Sequence, residues 1–253
     1  MTRVLVGGVT GRMGGAVIEA TAGRNDVDVV AGVSRDPSGD IDGVPLEPMD
    51  ELETVLAQHE PDVLVDFSTP DASREFVAAC ADAGVACVVG TTGFTDDDEA
   101  ALREASESVP VLVASNFSRG IQALLRAVEG AVSDLPGYDV ELMETHHNGK
   151  RDAPSGTAKT ILDRIAAAGG PDERVHGRDG DAPRQSGEVG VHARRAGGIA
   201  GEHEVLLAND HEDLRLSHRA ADRGVFADGA LDAAAWVAGR QPGRYEFSEV
   251  ISE

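Results

Sequence analysis

The chain has 253 residues, of which 22 are basic and 45 acidic, so its net charge near neutral pH is −23. Such an excess of negative charge argues against nucleic acid and anionic membranes as partners. No apolar stretch reaches transmembrane length and no signal peptide precedes the first strand, so we expect a globular protein of one or two domains.

The basic residues are almost all arginine: only Lys150 and Lys159 are lysines. The acidic residues are scattered along the chain, which indicates a uniformly acidic, solvated surface. This composition is typical of proteins adapted to high salt, where screening relieves the self-repulsion. We therefore expect a halophilic protein whose unfolding midpoint rises from low to molar KCl, and a midpoint that stays constant would contradict this.

The two cysteines, Cys80 and Cys87, fall on a predicted helix and on the strand that follows it. They form neither a disulfide framework nor a set of zinc ligands, so both are most simply small core residues. A reducing, cytoplasmic location is the resulting expectation.

The N-terminal segment predicts a βαβ unit around a glycine-rich turn. An apolar run beginning at Arg3 enters the turn 8–14, a helical run follows, and a second strand is predicted over 27–33. Glycines between a first strand and a first helix let a pyrophosphate approach the helix N-terminus. The spacing of Gly8, Gly11 and Gly14 matches only the second half of the usual G-x-G-x-x-G pattern of dinucleotide-binding proteins. The position of these glycines between a strand and a helix is therefore stronger evidence for a dinucleotide than their spacing.

The end of the second predicted strand bears on the choice of cofactor. An acidic residue there binds the ribose 2′-hydroxyl of NAD, whereas this chain has Ser34 and Arg35, which suit a 2′-phosphate. Asp36 follows and is able to bind a ribose, and Arg35 is equally compatible with a plain surface charge. We favour NADPH and leave NADH open.

Strands and helices then alternate, which predicts a parallel sheet. Strands are predicted over 63–67, 85–89 and 111–113, and helices over 71–83 and 97–107. Small hydrogen-bonding segments follow each strand: 68–70, 90–92 and 114–117. Because ligands bind beyond the carboxyl ends of parallel strands, these segments suit the nicotinamide half of a cofactor.

After Phe117 the pattern changes. A helix over 121–132, a strand over 138–143 and a helix over 157–168 precede a glycine- and proline-rich segment, 169–185, that we predict to be a mobile loop. The runs 188–195, 203–208 and 214–218 alternate apolar and polar residues, which indicates a largely antiparallel sheet with one covered face. Such a sheet commonly hides its open face against another copy, so we expect an oligomer.

The predicted fold is therefore α/β, with two domains. A Rossmann-like parallel sheet spans 1–117 and 227–253, and includes a final apolar helix, 226–239, that we expect to dock back on this domain. An α+β domain for substrate binding and oligomerisation, with a mixed, largely antiparallel sheet, spans 118–226.

One strand-to-helix connection concentrates groups that can do chemistry. It carries the adjacent His146 and His147, then Lys150, then the turn 155–157. Histidine offers a proton that titrates near neutral pH, and lysine a compact cation. Ser155 is a good N-cap, and we expect the N–H groups of Ser155, Gly156 and Thr157 to point into the loop as a seat for a carboxylate or phosphate. The pattern predicts a site for an anionic substrate that gains or loses a proton.

Simpler interpretations of this loop exist. Buried histidines commonly satisfy their hydrogen bonds in a core, but here the whole cluster, with a lysine kept in a lysine-poor chain, argues against that. We predict no metal at His146 and His147, because no spaced set of Cys, His or carboxylate ligands accompanies them.

Several segments together resemble the dihydrodipicolinate reductase (4-hydroxy-tetrahydrodipicolinate reductase) family of the diaminopimelate and lysine pathway. They occur in the family's order and cover nearly the whole chain: Gly8 to Gly14, Asp66-Phe67-Ser68, Gly90 to Phe94, Ser115 to Ser118, His146-His147-x-x-Lys150-x-Asp152 to Thr157, Arg195-x-Gly197 and Gly201-Glu202-His203. The resemblance implies NAD(P)H-dependent reduction of 4-hydroxy-tetrahydrodipicolinate by a cytoplasmic homotetramer.

The resemblance also implies roles for single residues. His146 and Lys150 would be the acid/base groups, with the choice of proton donor left open, and His147, Ser155, Gly156 and Thr157 would bind the substrate. The nicotinamide cofactor would be held by Gly8, Val9, Thr10, Gly11, Arg12, Met13, Gly90, Thr91, Thr92, Ala114, Ser115, Asn116 and Phe117, in addition to Ser34 and Arg35.

Two departures from the family pattern bear on function. Ser34 stands where many members carry an acidic residue, which places their use of NADH in doubt here, and the spacer Asn148-Gly149 replaces basic residues. The alternative functions are those of an amino-acid dehydrogenase of similar layout, which would lack the histidine–lysine loop, and of an NADPH-binding sensor, which would need neither His146 nor Lys150.

Overall fold

The computed structural model describes residues 1–252, which form two compact units. The first unit contains Met1–Phe117 and the segment from Arg223 onwards, and the second is Ser118–Asp222. The chain returns to the first unit at Arg223, four residues before the position predicted from the sequence. None of the helices described is long and apolar enough to cross a membrane.

The strands and helices follow one another in the order expected for two α/β units. The strands are β1 Thr2–Gly7, β2 Val27–Ser34, β3 Asp40–Ile41, β4 Val44–Pro48, β5 Val63–Asp66, β6 Ala86–Val89, β7 Pro110–Val113, β8 Asp139–His146, β9 Glu173–His176, β10 Glu188–Arg195, β11 Gly201–Ala208, β12 Asp213–Ala220 and β13 Gly243–Tyr245. The helices are α1 Arg12–Ala20, α2 Leu52–His59, α3 Pro70–Ala83, α4 Asp96–Ser106, α5 Arg119–Asp134, α6 Gly156–Ala167, α7 Gly224–Val237 and α8 Phe247–Val250, with a short 3-10 helix at Met49–Glu51.

The first unit is built on an eight-stranded sheet in the order β13-β7-β6-β5-β1-β2-β4-β3. Its pairings are parallel except that of β3 with β4. After β1 the chain adds β2, β3 and β4 on one side of this strand, and it then crosses to the other side, where β5, β6, β7 and β13 follow. This reversal is the topological switch point at which α/β sheets of this kind bind ligands.

Helices cover both faces of this sheet. On one face α1, α7 and α8 pack on the strands in an apolar cluster that includes Val17, Leu231 and Phe247. On the other face α2, α3 and α4 form a second cluster that includes Leu56, Phe76 and Leu102. Both faces of the strands are therefore apolar, which explains why they read as continuous hydrophobic runs. Strands β3, β4 and β13 and helices α2 and α8 were not predicted from the sequence, and each has eight residues or fewer.

The second unit has a five-stranded mixed sheet in the order β12-β11-β8-β10-β9. Strand β8 pairs in parallel with β10 and antiparallel with β11, while β10–β9 is parallel and β11–β12 antiparallel. Two of the four pairings are antiparallel, fewer than predicted. The prediction of a mobile loop over 169–185 was wrong at Glu173–His176, where β9 forms an edge strand that depends on β10 for its hydrogen bonds.

Helices α5 and α6 cover one face of this second sheet. Their apolar residues recur every three to four positions, as in Ile121, Leu125, Val128 and Val132 of α5, and pack on inward-facing strand residues such as Leu142. The side chains of β11 alternate between buried and half-exposed. One face of the sheet is therefore core, and the opposite face is left open within this unit.

Candidate active site and cofactor turn

The inward face of β8 changes from apolar to ionisable at its carboxyl end. Val140 and Leu142 pack under the helices, and Glu144 and His146 continue the same face because side chains in a strand alternate with period two. Both are buried, Glu144 completely and His146 to 8% exposure. An acid and a histidine thus lie side by side where α6 begins.

Glu144 is the centre of a dense hydrogen-bond network. One carboxylate oxygen lies 2.6 Å from His146 Nδ1, and the guanidinium of Arg195 donates one hydrogen bond to each oxygen, both of 2.7 Å. The backbone N–H of Ser155 donates to Oε1 at 3.0 Å. Burial raises the pKa of this carboxyl, but the hydrogen bonds from His146 and Arg195 outweigh it and lower the pKa to about 2. Glu144 is therefore ionised at neutral pH.

A second histidine packs against His146. His203 of β11 lies opposite Glu144 in the strand register, and the two histidine rings meet edge to face with centroids 5.2 Å apart. Its Nε2 lies 3.2 Å from the hydroxyl of Ser155. Burial, followed by the nearby imidazole of His146, lowers the pKa of His203 to about 3, so this ring is neutral at neutral pH.

The helix start expected after Pro154 is present, one residue earlier than predicted. The Ser155 hydroxyl accepts a hydrogen bond of 3.2 Å from Ala158 N, and α6 begins at Gly156. The prediction that the Ser155 N–H faces the loop was wrong, because this amide donates to Glu144 and Ser155 is only 1% exposed. The amides of Gly156 and Thr157 follow in the first turn of α6, where the N–H groups of a helix have no intrahelical acceptor and anions commonly bind.

Lys150 lies in the loop between β8 and α6, with its side chain about a quarter exposed. Its ammonium pairs with Asp152 at 2.9 Å, and its backbone N–H donates to the carbonyl of His147 at 3.1 Å. Burial raises the pKa of Asp152, but the ammonium of Lys150 outweighs it, so that the pKa is lowered. Arg195 fixes the same loop by donating to the Asp152 carbonyl at 2.6 Å. The loop is thus held from β10.

The glycine-rich turn of the first unit has the close packing that a pyrophosphate site needs. Gly8 has a φ of +70°, and a Cβ there would lie 2.8 Å from the Phe67 carbonyl oxygen. A Cβ on Gly14 would lie 2.5 Å from the Gly8 carbonyl oxygen, so only glycine lets α1 approach the turn. Gly11 is the N-cap of α1 and has no side chain to obstruct the helix N-terminus. These residues fit a bound dinucleotide phosphate.

A cavity of about 490 Å³ opens beside this turn. It brings together five of the predicted cofactor residues with polar residues that follow β5; its lining includes Gly8, Thr10, Gly11, Ser34, Arg35, Asp36, Ser68 and Thr69. The Ser34 hydroxyl accepts a hydrogen bond of 3.2 Å from the backbone N–H of Asp36. Arg35 is exposed at the rim. The residues around the second strand therefore line the same cavity as the glycine turn.

The predicted segment at 90–92 is tied to this cavity through Asp66. The Asp66 carboxylate accepts hydrogen bonds from the hydroxyls of Ser73 and Thr91, the latter at 2.8 Å, and from the N–H of Ser68 at 2.9 Å. Burial raises the pKa of Asp66. Gly90 has no room for a side chain beside the Phe67 ring, with which it is in contact. The carboxyl ends of β5 and β6 are therefore locked together.

Two other predicted cofactor residues face inward. The side chain of Val9 is fully buried in the core, and Phe117 is 1% exposed, edge to face with Phe67 and Phe247 at centroid distances of 5.7 and 5.3 Å. Their side chains support the turn and the sheet from behind.

Three residues that organise the site in the second unit, Glu144, Arg195 and His203, were not predicted as functional residues. The sequence does contain a signal for Glu144: it stands two residues before His146 on a strand, so both side chains lie on the same face. His203 interrupts the inward apolar positions of β11, which is a weaker signal. Arg195 and His203 stand in two of the segments that carry the family resemblance, but neither was given a role there. Among residues 1–252 no group of His, Cys, Asp and Glu side chains could hold a metal ion.

Comparison with known families covers both units. Residues 2–117 match the model of the dihydrodipicolinate reductase N-terminus, and residues 120–251 match that of the dihydrodipicolinate reductase C-terminus. A protein of Haloarcula marismortui named 4-hydroxy-tetrahydrodipicolinate reductase is 54% identical over 251 residues, 99% of each chain. A protein of the same name from Natronomonas pharaonis is also 54% identical, over 98% of this chain and 99% of the relative.

Solved structures agree with this. A dihydrodipicolinate reductase from Paenisporosarcina sp. TG-14 with dipicolinate bound superposes with a TM-score of 0.80 at 25% identity, over 98% of this chain and 99% of the other. An amine dehydrogenase from Mycobacterium smegmatis, at 16% identity and a TM-score of 0.62 over 98% of this chain and 95% of the other, shares the fold.

Proposed function

The chain belongs to the dihydrodipicolinate reductase family and is an NAD(P)H-dependent 4-hydroxy-tetrahydrodipicolinate reductase of lysine and diaminopimelate biosynthesis; from this we propose how its own residues carry out the reduction. We assign proton transfer to the β8–α6 loop and hydride supply to a cofactor held at the glycine turn. The observation that carries the assignment is the buried Glu144–His146 pair at the start of α6, next to the loop of Lys150.

The substrate is a cyclic dicarboxylate, and the start of α6 is suited to one of its carboxylates. The first-turn amides at Gly156 and Thr157 carry the positive end of the helix dipole, and the N-cap of Ser155 holds them in place. Lys150 and His147, from the preceding loop, add charge-assisted hydrogen bonds. Ser155 has its amide and hydroxyl engaged within the protein, so its role is to support this anion seat.

When bound, the nicotinamide cofactor supplies a hydride, which goes to ring C4 of the substrate after water is lost. Hydride addition to the conjugated C=C–C=N system moves the C=C electron pair into the neighbouring ring bond and the C=N electron pair onto the ring nitrogen, which gives an enamine. A protonated group beside that nitrogen stabilises the developing charge and returns a proton. His146 and Lys150 are the two candidates for this step.

We propose NADPH as the preferred cofactor. Support comes from the Ser34 hydroxyl and the Arg35 guanidinium on the cavity that holds the glycine turn, where a 2′-phosphate finds a donor and a cation. Asp36, on the same cavity, is the group that would favour NADH.

The direct experiment follows oxidation of NADPH and NADH at 340 nm in molar KCl, with the substrate generated in situ from pyruvate and aspartate semialdehyde by the preceding synthase. Substrate-dependent oxidation is expected with a higher kcat/KM for NADPH. Equal or reversed kcat/KM values would refute the assignment of Ser34 and Arg35. The absence of substrate-dependent oxidation with either cofactor, in a folded protein that binds NADPH, would refute the reductase activity.

Replacing Thr157 by valine tests the anion seat. Valine keeps the shape but removes the hydroxyl of a residue that is only 8% exposed, so the KM for the substrate is expected to rise about tenfold while kcat changes little. Steady-state kinetics measure both constants. Thr160→Val is the matched control, because this hydroxyl of the same helix bonds to the Gly156 carbonyl. An unchanged KM in Thr157→Val would count against the seat.

We also propose a cytoplasmic homotetramer that forms through the open face of the five-stranded sheet. Half-exposed Met143 and Leu206 lie on this open face, because they alternate with the buried residues of β8 and β11. Apolar groups on an uncovered sheet face favour association with a second copy. Light scattering in molar KCl should give about four times the chain mass of 26.3 kDa, and a monomer would contradict the proposal.

A further inference from the structure

Glu144 binds three separate segments of the second unit with one carboxylate. Its partners are His146 on its own strand, Arg195 on β10 and the N–H of Ser155 immediately before α6. The side chain is fully buried, so it cannot meet solvent or a substrate. Whatever it contributes to the reaction has to pass through these partners.

The contact with His146 determines which ring nitrogen is presented. An ionised carboxylate only accepts hydrogen bonds, so Nδ1 at 2.6 Å carries a proton. The opposite nitrogen, Nε2, lies beside Gly201, where a Cβ would come within 3.1 Å. Because Nδ1 is engaged by Glu144, Nε2 is the ring nitrogen that remains for contact with a substrate.

The contact with Ser155 places the start of α6. The amide of Ser155 is held by Glu144 Oε1, and the hydroxyl of the same residue caps the helix at Ala158 and lies 3.2 Å from His203. The first-turn amides of Gly156 and Thr157 follow directly in the chain. A change at Glu144 therefore moves the anion seat and the His146 ring together.

Arg195 makes a buried negative charge compatible with a dicarboxylate site. Its two hydrogen bonds to Glu144 are bidentate, and its further bond to the Asp152 carbonyl ties down the Lys150 loop. Without this guanidinium the carboxylate would repel the substrate. With it, the Glu144–Arg195 pair is neutral and rigid.

We propose that Glu144 is a positioning residue of the reductase. Its carboxylate, which Arg195 anchors, holds the His146 ring so that Nε2 is presented to the substrate. The same carboxylate fixes the position of Ser155, which supports the anion seat, relative to that ring. This inference rests on the proposed function of His146 and of the first turn of α6. It extends that function to a residue that touches neither substrate nor cofactor.

Glu144→Gln tests the role in turnover. The amide keeps the size of the side chain, but its NH₂ group cannot accept the bonds that the carboxylate accepts from His146 and Arg195. We expect kcat to fall at least tenfold and the KM for the substrate to rise several-fold. Glu141→Gln is the matched control, because Glu141 lies on the same strand and also binds an arginine, Arg184, and a histidine, His192 at 2.7 Å. It faces the opposite side of the sheet and should leave both constants within about twofold.

The ring of His146 provides a second readout, which does not need activity. In the wild-type protein a two-bond ¹H–¹⁵N spectrum at neutral pH is expected to show a protonated Nδ1, assigned by the loss of its signals in His146→Ala. In Glu144→Gln the proton should move to Nε2, while Glu141→Gln keeps the wild-type pattern. An unprotonated Nδ1 in the wild type would overturn the proposal even if Glu144→Gln failed to fold.

The two readouts separate the inference from the function it rests on. Wild-type activity together with unchanged kcat, KM and ring protonation in Glu144→Gln would overturn the positioning role alone. A wild-type protein inactive with both cofactors would overturn the reductase mechanism, and the wild-type ring spectrum would still decide whether Glu144 sets the His146 ring.

Discussion

Replacement of His146 or Lys150 by alanine is expected to lower kcat by about 10²-fold or more, because each variant removes a group that stabilises or protonates the developing charge on the ring nitrogen. The KM for the substrate should change less in His146→Ala than in Lys150→Ala, since Lys150 is also assigned to the substrate carboxylate. Stopped-flow or steady-state oxidation of NADPH in molar KCl measures both constants.

The chain offers matched controls for both substitutions. Lys159, the only other lysine, is exposed on α6, and His176 is exposed on β9. Lys159→Ala and His176→Ala should keep wild-type kcat. Near-normal turnover in both His146→Ala and Lys150→Ala would refute the roles assigned to them, and a loss confined to one variant would identify it as the proton donor.

Acid is expected to destabilise the second unit through His203. The pKa of this buried imidazole is about 3 in the folded protein, against 6.5 for an ordinary histidine. A group whose folded pKa is depressed contributes stability that is complete above pH 6.5 and is lost as pH falls towards 3, because the unfolded chain binds the proton first. At pH 4.5 the loss relative to pH 7 is about 2–3 kcal/mol.

Glu144 adds to this loss at lower pH. Its pKa is lowered from 4.5 to about 2, so its contribution is present above pH 4.5 and disappears as pH falls towards 2. Between pH 7 and pH 4.5 His203 should therefore dominate. The two groups can be separated by the pH range in which stability is measured.

Denaturant unfolding at pH 7 and pH 4.5, at constant KCl, gives the difference. His203→Gln should reduce the fall in the free energy of unfolding by about 2–3 kcal/mol, whatever its stability at pH 7. His176→Gln, which changes an exposed histidine, should show the wild-type fall. The same pH dependence in His203→Gln as in the wild type would show that His203 is not the group responsible.

The sequence predicted the elements that depend on local patterns. Strand β10 was placed at Glu188–Arg195 with the bounds that the structure has, and α6 was placed within one residue, because Pro154, Ser155 and Gly156 are start signals that act over a few residues. The short strand β9 was taken for a loop, since an edge strand of four residues leaves little periodic signal.

The sequence by itself determined the family, the order of the βαβ units, the glycine turn and the loop that carries His146, Lys150 and Thr157, because each depends on neighbouring residues. Only the tertiary structure decided how that loop is organised. Arg195 and His203 reach it from β10 and β11, roughly 50 residues further along the chain, and Ser155 turns its amide inward to Glu144. Strand register and the need to pair the buried carboxylate of Glu144 bring Arg195, His203 and Ser155 together. Neither cause can be recognised from a local sequence pattern.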